Sequence, residues 1–338
     1  MAVAIKPFRK LQIGKQSSFG TLVAATSQVL GEWSVREISD RYRSSYPRGY
    51  NANVGAAGVD VMKGVELDVQ GELSAEELIW CLQAGVKGGV TPTGPTDSAY
   101  TWTYTPQLTA APTNEYYTFE QVESDGSTNH IAREFGDAVL NELEISASGN
   151  ENVSMRHSWF ARASQASTPT SSQVAIASQV PLVSNLVKVY LDTSYAGLGG
   201  TQLTTVVRSL TWKYKSPFEP KYTLDGRSDL DLTGYHFHAG FKATLDITAE
   251  IDATLATALI TAWRANSLRY IRMEFTGAVI GAGSTARSIK IDGAYRFVGE
   301  PQYDDDSRTV AVSLESVYDA TGGKTLEFVV VNGLSAVA

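Results

Sequence analysis

The sequence predicts a mainly β protein: two copies of one module in tandem, each with a single flanking helix. Three observations carry this. Thr, Ser, Tyr and Gly are abundant and charge is sparse at 19 %, a mix that suits pleated, half-buried strands. Two stretches in opposite halves share one alternating pattern that runs into a helix start. Between them lies Ala163-Ser-Gln-Ala-Ser-Thr-Pro-Thr-Ser-Ser-Gln173, which holds no large apolar residue and reads as a linker.

The bulk numbers bound the answer. At 338 residues the chain has a soft prior of two domains, at roughly 150 residues each. The 43 % apolar content is too high for disorder. A net charge of −8 argues against a protein whose task is to grip phosphates. The single cysteine, Cys81, excludes an intrachain disulfide. No run of about 18 apolar residues is present, so no transmembrane helix is expected. Charges in the first ten residues interrupt the apolar stretch a signal peptide needs, so assembly in a cytoplasm is expected.

In chain order, residues 1–30 read as an N-terminal arm. Phe8, Leu11, Ile13 and Phe19 are large apolar residues among Lys6, Arg9, Lys10 and Lys15. Such residues need a surface to bury against, and a neighbouring subunit can supply it. Residues 31–163 form the first module, 164–183 the linker and 184–338 the second module. The repeat is Leu67-Asp-Val-Gln-Gly-Glu-Leu-Ser74 in the first and Leu245-Asp-Ile-Thr-Ala-Glu-Ile-Asp252 in the second. Ser74 and Glu77 have capping-box spacing, and Asp252 is an N-cap on its own. The predicted helices run on to Ala84 and Asn266, with Leu78, Ile79 and Leu82 on one face and Leu255, Leu259, Ala262 and Trp263 on the other helix's face. Strands follow at 100–104, 116–120, 269–275 and 288–292, and each half ends in a polar hairpin, 143–155 and 297–314.

Side chains alternate along a strand. Val65, Leu67, Val69 and Leu73 therefore share a face, as do Phe241, Ala243, Leu245, Ile247 and Ile251. The helix that follows each strand is expected to cover that face. The opposite face carries Glu66, Asp68, Gln70 and Glu72 in one copy, and Lys242, Thr244, Asp246, Thr248 and Glu250 in the other. It reads as a mostly acidic wet face. On a channel wall, such a face would repel a phosphate backbone passing within a Debye length of about 8 Å.

Catalytic chemistry finds no support. His236 and His238 share a strand face, and Asp229 and Asp231 are near in sequence, but no third ligand is arranged with them. His130 and His157 are isolated, Cys81 reads as a small core residue, and Gly281-Ala-Gly-Ser284 as a hairpin tip. Asp304-Asp-Asp306 reads as a solvated turn, and the Asn152-Val-Ser154 glycosylation pattern has no meaning without secretion. No nucleophile elbow, Walker loop or His-Glu-x-x-His is present. No enzyme activity, cofactor or metal is expected.

At this point the layout resembles the tail tube (major tail) proteins of long-tailed bacteriophages. The resemblance rests on Gly20-Thr-Leu-Val-Ala-Ala-Thr26 running into Gly31-Glu-Trp33, on Leu67…Ala84, on Asp246…Trp263-Arg-Ala265, and on Val329-Val-Val-Asn-Gly-Leu334. It implies β-sandwich or half-barrel modules whose inner strands join, six to a ring, into one closed β-barrel. Rings then stack into a tube through which double-stranded DNA leaves the head. Two modules per chain imply trimeric, pseudo-hexameric rings. The resemblance also implies contact with tape-measure, tail terminator and baseplate proteins, no membrane insertion, and a place in the virion tail. Glu66, Asp68, Glu72, Asp246 and Glu250 are then lumen candidates. Phe8, Leu11, Ile13, Phe19, Asn150 and Asp305 are inter-ring contact candidates. Two rival readings share the composition: a porin-like outer-membrane barrel, which matches in length, acidity and alternation, and a glycan-binding β-sandwich, which would need an exposed aromatic platform.

Overall fold

A computed structural model of the chain describes residues 8–42, 59–125, 127–149, 151–170, 174–175, 180–223, 230–237, 240–251, 253–304 and 306–337. The strands of the first half are β1 (Lys10–Lys15), β2 (Ser27–Val29), β3 (Glu32–Tyr42), β4 (Val59–Glu72), β5 (Thr93–Thr96), β6 (Ala99–Tyr104), β7 (Tyr117–Ser124), β8 (Asn129–Ser148), β9 (Ser154–Ala161), β10 (Gln165–Ala166) and β11 (Val174–Ala175). Those of the second half are β12 (Val187–Asp192), β13 (Val207–Lys215), β14 (Phe218–Lys221), β15 (Gly234–Phe237), β16 (Lys242–Glu250), β17 (Arg269–Val279), β18 (Ala286–Phe297), β19 (Gln302–Asp304), β20 (Thr309–Ser316) and β21 (Leu326–Asn332). Helix α1 (Leu78–Gly85) follows β4 and α2 (Ala253–Arg264) follows β16. The protein is mainly β, as the composition predicts.

Pairing order is what positions the functional surface. An antiparallel array runs β3-β4-β9-β8-β13-β16-β20 and ends on β18 and β19, which both pair with β20. Two smaller layers lie against it. One is β11-β2-β1-β7-β8-β10, the other β12-β17-β18-β21-β6-β5. Strands β8 and β18 each belong to two layers. β8 pairs with β7 up to Ala138 and with β9 from Val139 onward. It turns at Gly136-Asp137, where Asp137 has φ +54° and a Cβ on Gly136 would meet Leu22 Cδ2 at 2.0 Å. β18 passes from β21 to β20 after Gly293, where a Cβ would strike the Tyr295 ring. The turn at Gly293, against the buried Tyr295 ring, therefore needs a glycine.

The core fills the space between layers. Trp159 of β9 meets the edges of Tyr117 and Phe119 of β7, at 5.9 and 5.2 Å between centroids. Trp212 of β13 meets Phe328 of β21 edge-on at 5.5 Å and donates to Tyr295 Oη at 3.1 Å. Edge-to-face rings of this kind add to their area burial. Helix α1 is wholly buried and packs on β8. Ser74 Oγ accepts from Glu77 N at 3.0 Å, as the capping spacing predicts. The Glu77 carboxylate turns elsewhere, to Leu30 N at 2.8 Å. In α2, Leu259 and Ala262 are buried, and the end is set by Asn266 in the left-handed region, φ +47°. Asp252 lies outside the described residues.

Two stretches differ from their sequence-based expectation. Residues 10–29 are no free arm. β1 lies between β2 and β7, so Leu11 and Ile13 are sealed in their own chain's core, 0 % and 1 % exposed. Isolated apolar residues cannot reveal that a strand distant in sequence covers them. The linker is also held down where described: Thr170 N donates to Glu120 at 2.8 Å, and Leu182 and Val183 bridge to Leu73 and Asn152. The sheets cross the expected boundary, since β6 pairs with β21 and β8 with β13.

His157 is 4 % exposed, and its Nδ1 accepts from Trp159 Nε1 at 2.6 Å. Burial lowers its pKa to about 3, against a usual value near 6.5. The unfolded chain therefore binds a proton that the folded chain refuses. Stability should fall as pH drops from about 6.5 toward 3, at up to about 1.4 kcal/mol per pH unit. Denaturant titrations between pH 7 and 4.5 should show this slope, and His157→Gln should flatten it.

Candidate functional site

The array is eight strands across, with β18 and β19 following one another along the same edge of β20, and among the described residues one of its faces is bare. On β4, Glu66, Asp68, Gln70 and Glu72 point away from the core, while Val65, Leu67 and Val69 are buried. On β16, Lys242, Asp246 and Glu250 are exposed, while Ala243, Leu245 and Ile247 are buried. The neighbouring strands repeat this alternation, with Glu142, Glu144 and Ser146 on β8, Arg156 and Ser158 on β9, Thr211, Lys213 and Lys215 on β13, and Ser313 and Glu315 on β20.

All five carboxylates proposed from the sequence lie on this one face, but in two separate rows. β4 and β16 are four strand steps apart, about 19 Å at about 4.8 Å a step. Between and beside them stand cations that alternation did not reveal. Glu66 pairs with Arg36. Asp68 pairs with Arg156 at 3.5 Å, Glu144 with Lys213 at 3.1 Å, Glu250 with Arg208 at 3.0 Å and Glu315 with Lys242 at 3.4 Å. Asp246 accepts from Ser313 Oγ at 2.6 Å and Glu72 from Asn152 Nδ2 at 2.7 Å. The wet face therefore carries both signs of charge, compensated across strands, with hydroxyls between. Like charges directly opposite on paired strands destabilise a sheet, so the partner of each acid comes from a strand remote in sequence. These exposed pairs contribute about 0–1 kcal/mol each; what they set is the local charge a passing molecule meets.

The inter-ring candidates scatter. Phe8 is 43 % exposed, and Phe19 is half-buried with its edge on the Tyr116 ring at 5.3 Å. Leu11 and Ile13 are unavailable for a contact, as described above. Asn150 and Asp305 lie outside the described residues. In the same turn, the Asp304 carboxyl is held below its usual range by Ser307 Oγ and by the N–H groups of Ser307 and Asp306.

The array has two open edges. Among the described residues, β3 is paired on one side only, with β4, and β19 only with β20. Trp33 and Val35 of β3 are only partly buried, Tyr303 of β19 is 42 % exposed and Val298 beside it 62 %. Unpaired strand edges with apolar side chains are templates for another chain. The description "phage tail tube protein" belongs to a family whose sequence pattern matches residues 9–316, most of the chain. The chain belongs to the phage tail tube protein family. As a member it is a structural subunit of a virion tail, and it self-assembles into a tube. That membership sets aside the porin-like and glycan-binding readings. No curated protein matches the chain.

The residues weighed for chemistry lie apart from one another in this tail tube protein. No group of three or more His, Cys, Asp or Glu could hold a metal ion among them. His236 is exposed on β15, and His238 and Asp229 lie outside the described residues. Asp231 is tied to Arg162 at 3.1 Å and to Ala163 N at 2.8 Å. Cys81 is buried, and burial pushes its thiol up. No described helix is long and apolar enough to cross a membrane.

Proposed function

We propose that three copies of this chain close into a ring, that rings stack into a tube, and that the bare face of the eight-strand array lines a lumen through which double-stranded DNA passes. The observation that carries this reading is the array itself. Its pairing order β3-β4-β9-β8 is followed by β13-β16-β20-β18/β19, with the helix after β4 matched by the helix after β16. We read these as two modules, joined inside the chain where β8 meets β13. Three such chains give about 24 strands, and at about 4.8 Å spacing and roughly 40° tilt the backbone diameter is about 48 Å. Inward side chains leave about 35–40 Å on that geometry, enough for a DNA duplex and a water layer.

The wall suits passage rather than binding. Affinity for a phosphate backbone comes from cations free to replace its counterions. Here Arg36, Arg156, Arg208, Lys213 and Lys242 each face a carboxylate on an adjacent strand. Glu66, Asp68 and Glu250 then act by holding three of those cations, and Glu72 and Asp246, bonded to Asn152 and Ser313, by repelling phosphate. Assembly follows in the host cytoplasm, and tape-measure, terminator and baseplate proteins meet the ends of the tube.

Native mass spectrometry of the assembled protein tests the ring. Particles in multiples of three 36.4 kDa chains are expected. Multiples of six without a three-chain ring, or only single chains at high concentration, would refute it.

A further inference from the structure

The chain contains a worked example of its own outer joint. Inside the chain, β8 and β13 pair over seven residues, with Ile145 opposite Trp212 and Glu144 opposite Lys213. The two open edges are the counterparts of these strands. β3 stands to β4 as β13 stands to β16: Val35 lies opposite Leu67, and Trp212 opposite Leu245, the two leucines that open the repeated segments. β19 stands to β20 as β8 stands to β9: Ile145 lies opposite Met155, and Tyr303 opposite Val310. Met155 and Val310 are matched in turn, since Trp159, four residues on, lies opposite Leu67, and Leu314 opposite Leu245.

Carrying the internal register onto the open edges gives a single answer. We propose that β3 of one subunit pairs antiparallel with β19 of the next, with Val35 opposite Tyr303, Arg36 opposite Gln302 and Ser34 opposite Asp304. The proposal rests on the ring reading above and specifies its joint.

Three features of the chain agree with this register. The apolar pair falls where Trp212 and Ile145 are buried in the internal joint, 0 % exposed each; in the single chain Val35 is only partly buried and Tyr303 is exposed. Arg36 falls where Lys213 sits, with neutral Gln302 in the place of Glu144, and Asp304, two residues on from Gln302, supplies the acid on the diagonal instead. A slip of one residue would turn Tyr303 onto the wet face and Gln302 into the core, because side chains alternate strictly. The outer joint is also the shorter one. β19 has three residues, and Val298–Pro301 separate it from β18, where the internal ladder has seven pairs.

Cysteine pairs read the register directly. Cys81 is 1 % exposed and stays silent. Lys213→Cys with Glu144→Cys is the internal benchmark and should oxidise within a chain. Arg36→Cys with Gln302→Cys should oxidise between chains, in a ladder that stops at three, and Ser34→Cys with Asp304→Cys should do the same. The slipped pair, Arg36→Cys with Tyr303→Cys, should form at least tenfold less product. Electron micrographs of the same samples separate the two possible failures. Rings whose benchmark closes, but whose Arg36/Gln302 pair links no better than the slipped pair, would overturn the register and leave the ring standing. Absence of rings in the unmodified protein would overturn the ring reading itself.

Discussion

Arg287→Ala should cost about 3–5 kcal/mol of folding stability, the usual penalty for stranding one member of a buried ion pair. Arg287 of β18 is 5 % exposed and donates through Nε to Glu76 Oε1 at 2.7 Å; Glu76, beside the start of α1, is 0 % exposed. The pair ties the first half of the chain to the second. Burial raises the Glu76 carboxyl above its usual range, and Arg287 pulls it back down. Without Arg287, the upward push of burial is opposed only by a backbone hydrogen bond. The folded variant then takes up a proton more readily than its unfolded chain, so its deficit against the parent should shrink as pH falls toward 5. Urea unfolding at pH 8 and pH 5 checks both parts. Replacing both partners, Glu76→Met with Arg287→Met, should cost far less than the single change, because no unpaired charge is left behind. A deficit in Arg287→Ala that does not vary with pH would place the damage elsewhere.

Tyr303→Lys should leave the single chain folded and stop assembly. Tyr303 is 42 % exposed, so a lysine there costs the subunit little. In the joint it would place a charge where the internal counterpart, Ile145, is wholly buried. Charged side chains on an edge strand are the usual device that keeps edges from pairing. Sedimentation velocity should show the concentration for half-assembly rise at least tenfold, with unchanged far-ultraviolet circular dichroism. Tyr303→Phe keeps the apolar ring and should assemble as the parent does.

The parts that the sequence displayed were local. Alternation at Val65–Glu72 and Ala243–Glu250 marked strands and their two faces, and Ser74 marked the turn that leads into α1, but Ile251, expected on the apolar face, is 40 % exposed just past the end of β16. Local patterns do not say which strands are neighbours. For that reason Leu11 and Ile13 looked available when β7 in fact covers them. For the same reason the wet face looked mostly acidic. Arg156 and Lys213, which answer Asp68 and Glu144 across strands, lie 88 and 69 residues away from their partners. The buried Arg287–Glu76 pair spans 211 residues and left no local signal at all. His157 looked isolated because its partner, Trp159, shares its strand face only by being two residues on. That spacing was available to a reader who asked which residue an inward histidine would meet.

In the closed ring the array's bare face looks inward. Cryo-electron microscopy of the assembled tube, at a resolution that shows side chains, tests it most directly. Threefold rings with a continuous strand wall are expected, in which Glu66, Asp68, Asp246 and Glu250 face the axis and β3 abuts β19 of the next subunit. A tube with those carboxylates on its outer surface, or with β3 and β19 left bare, would contradict it.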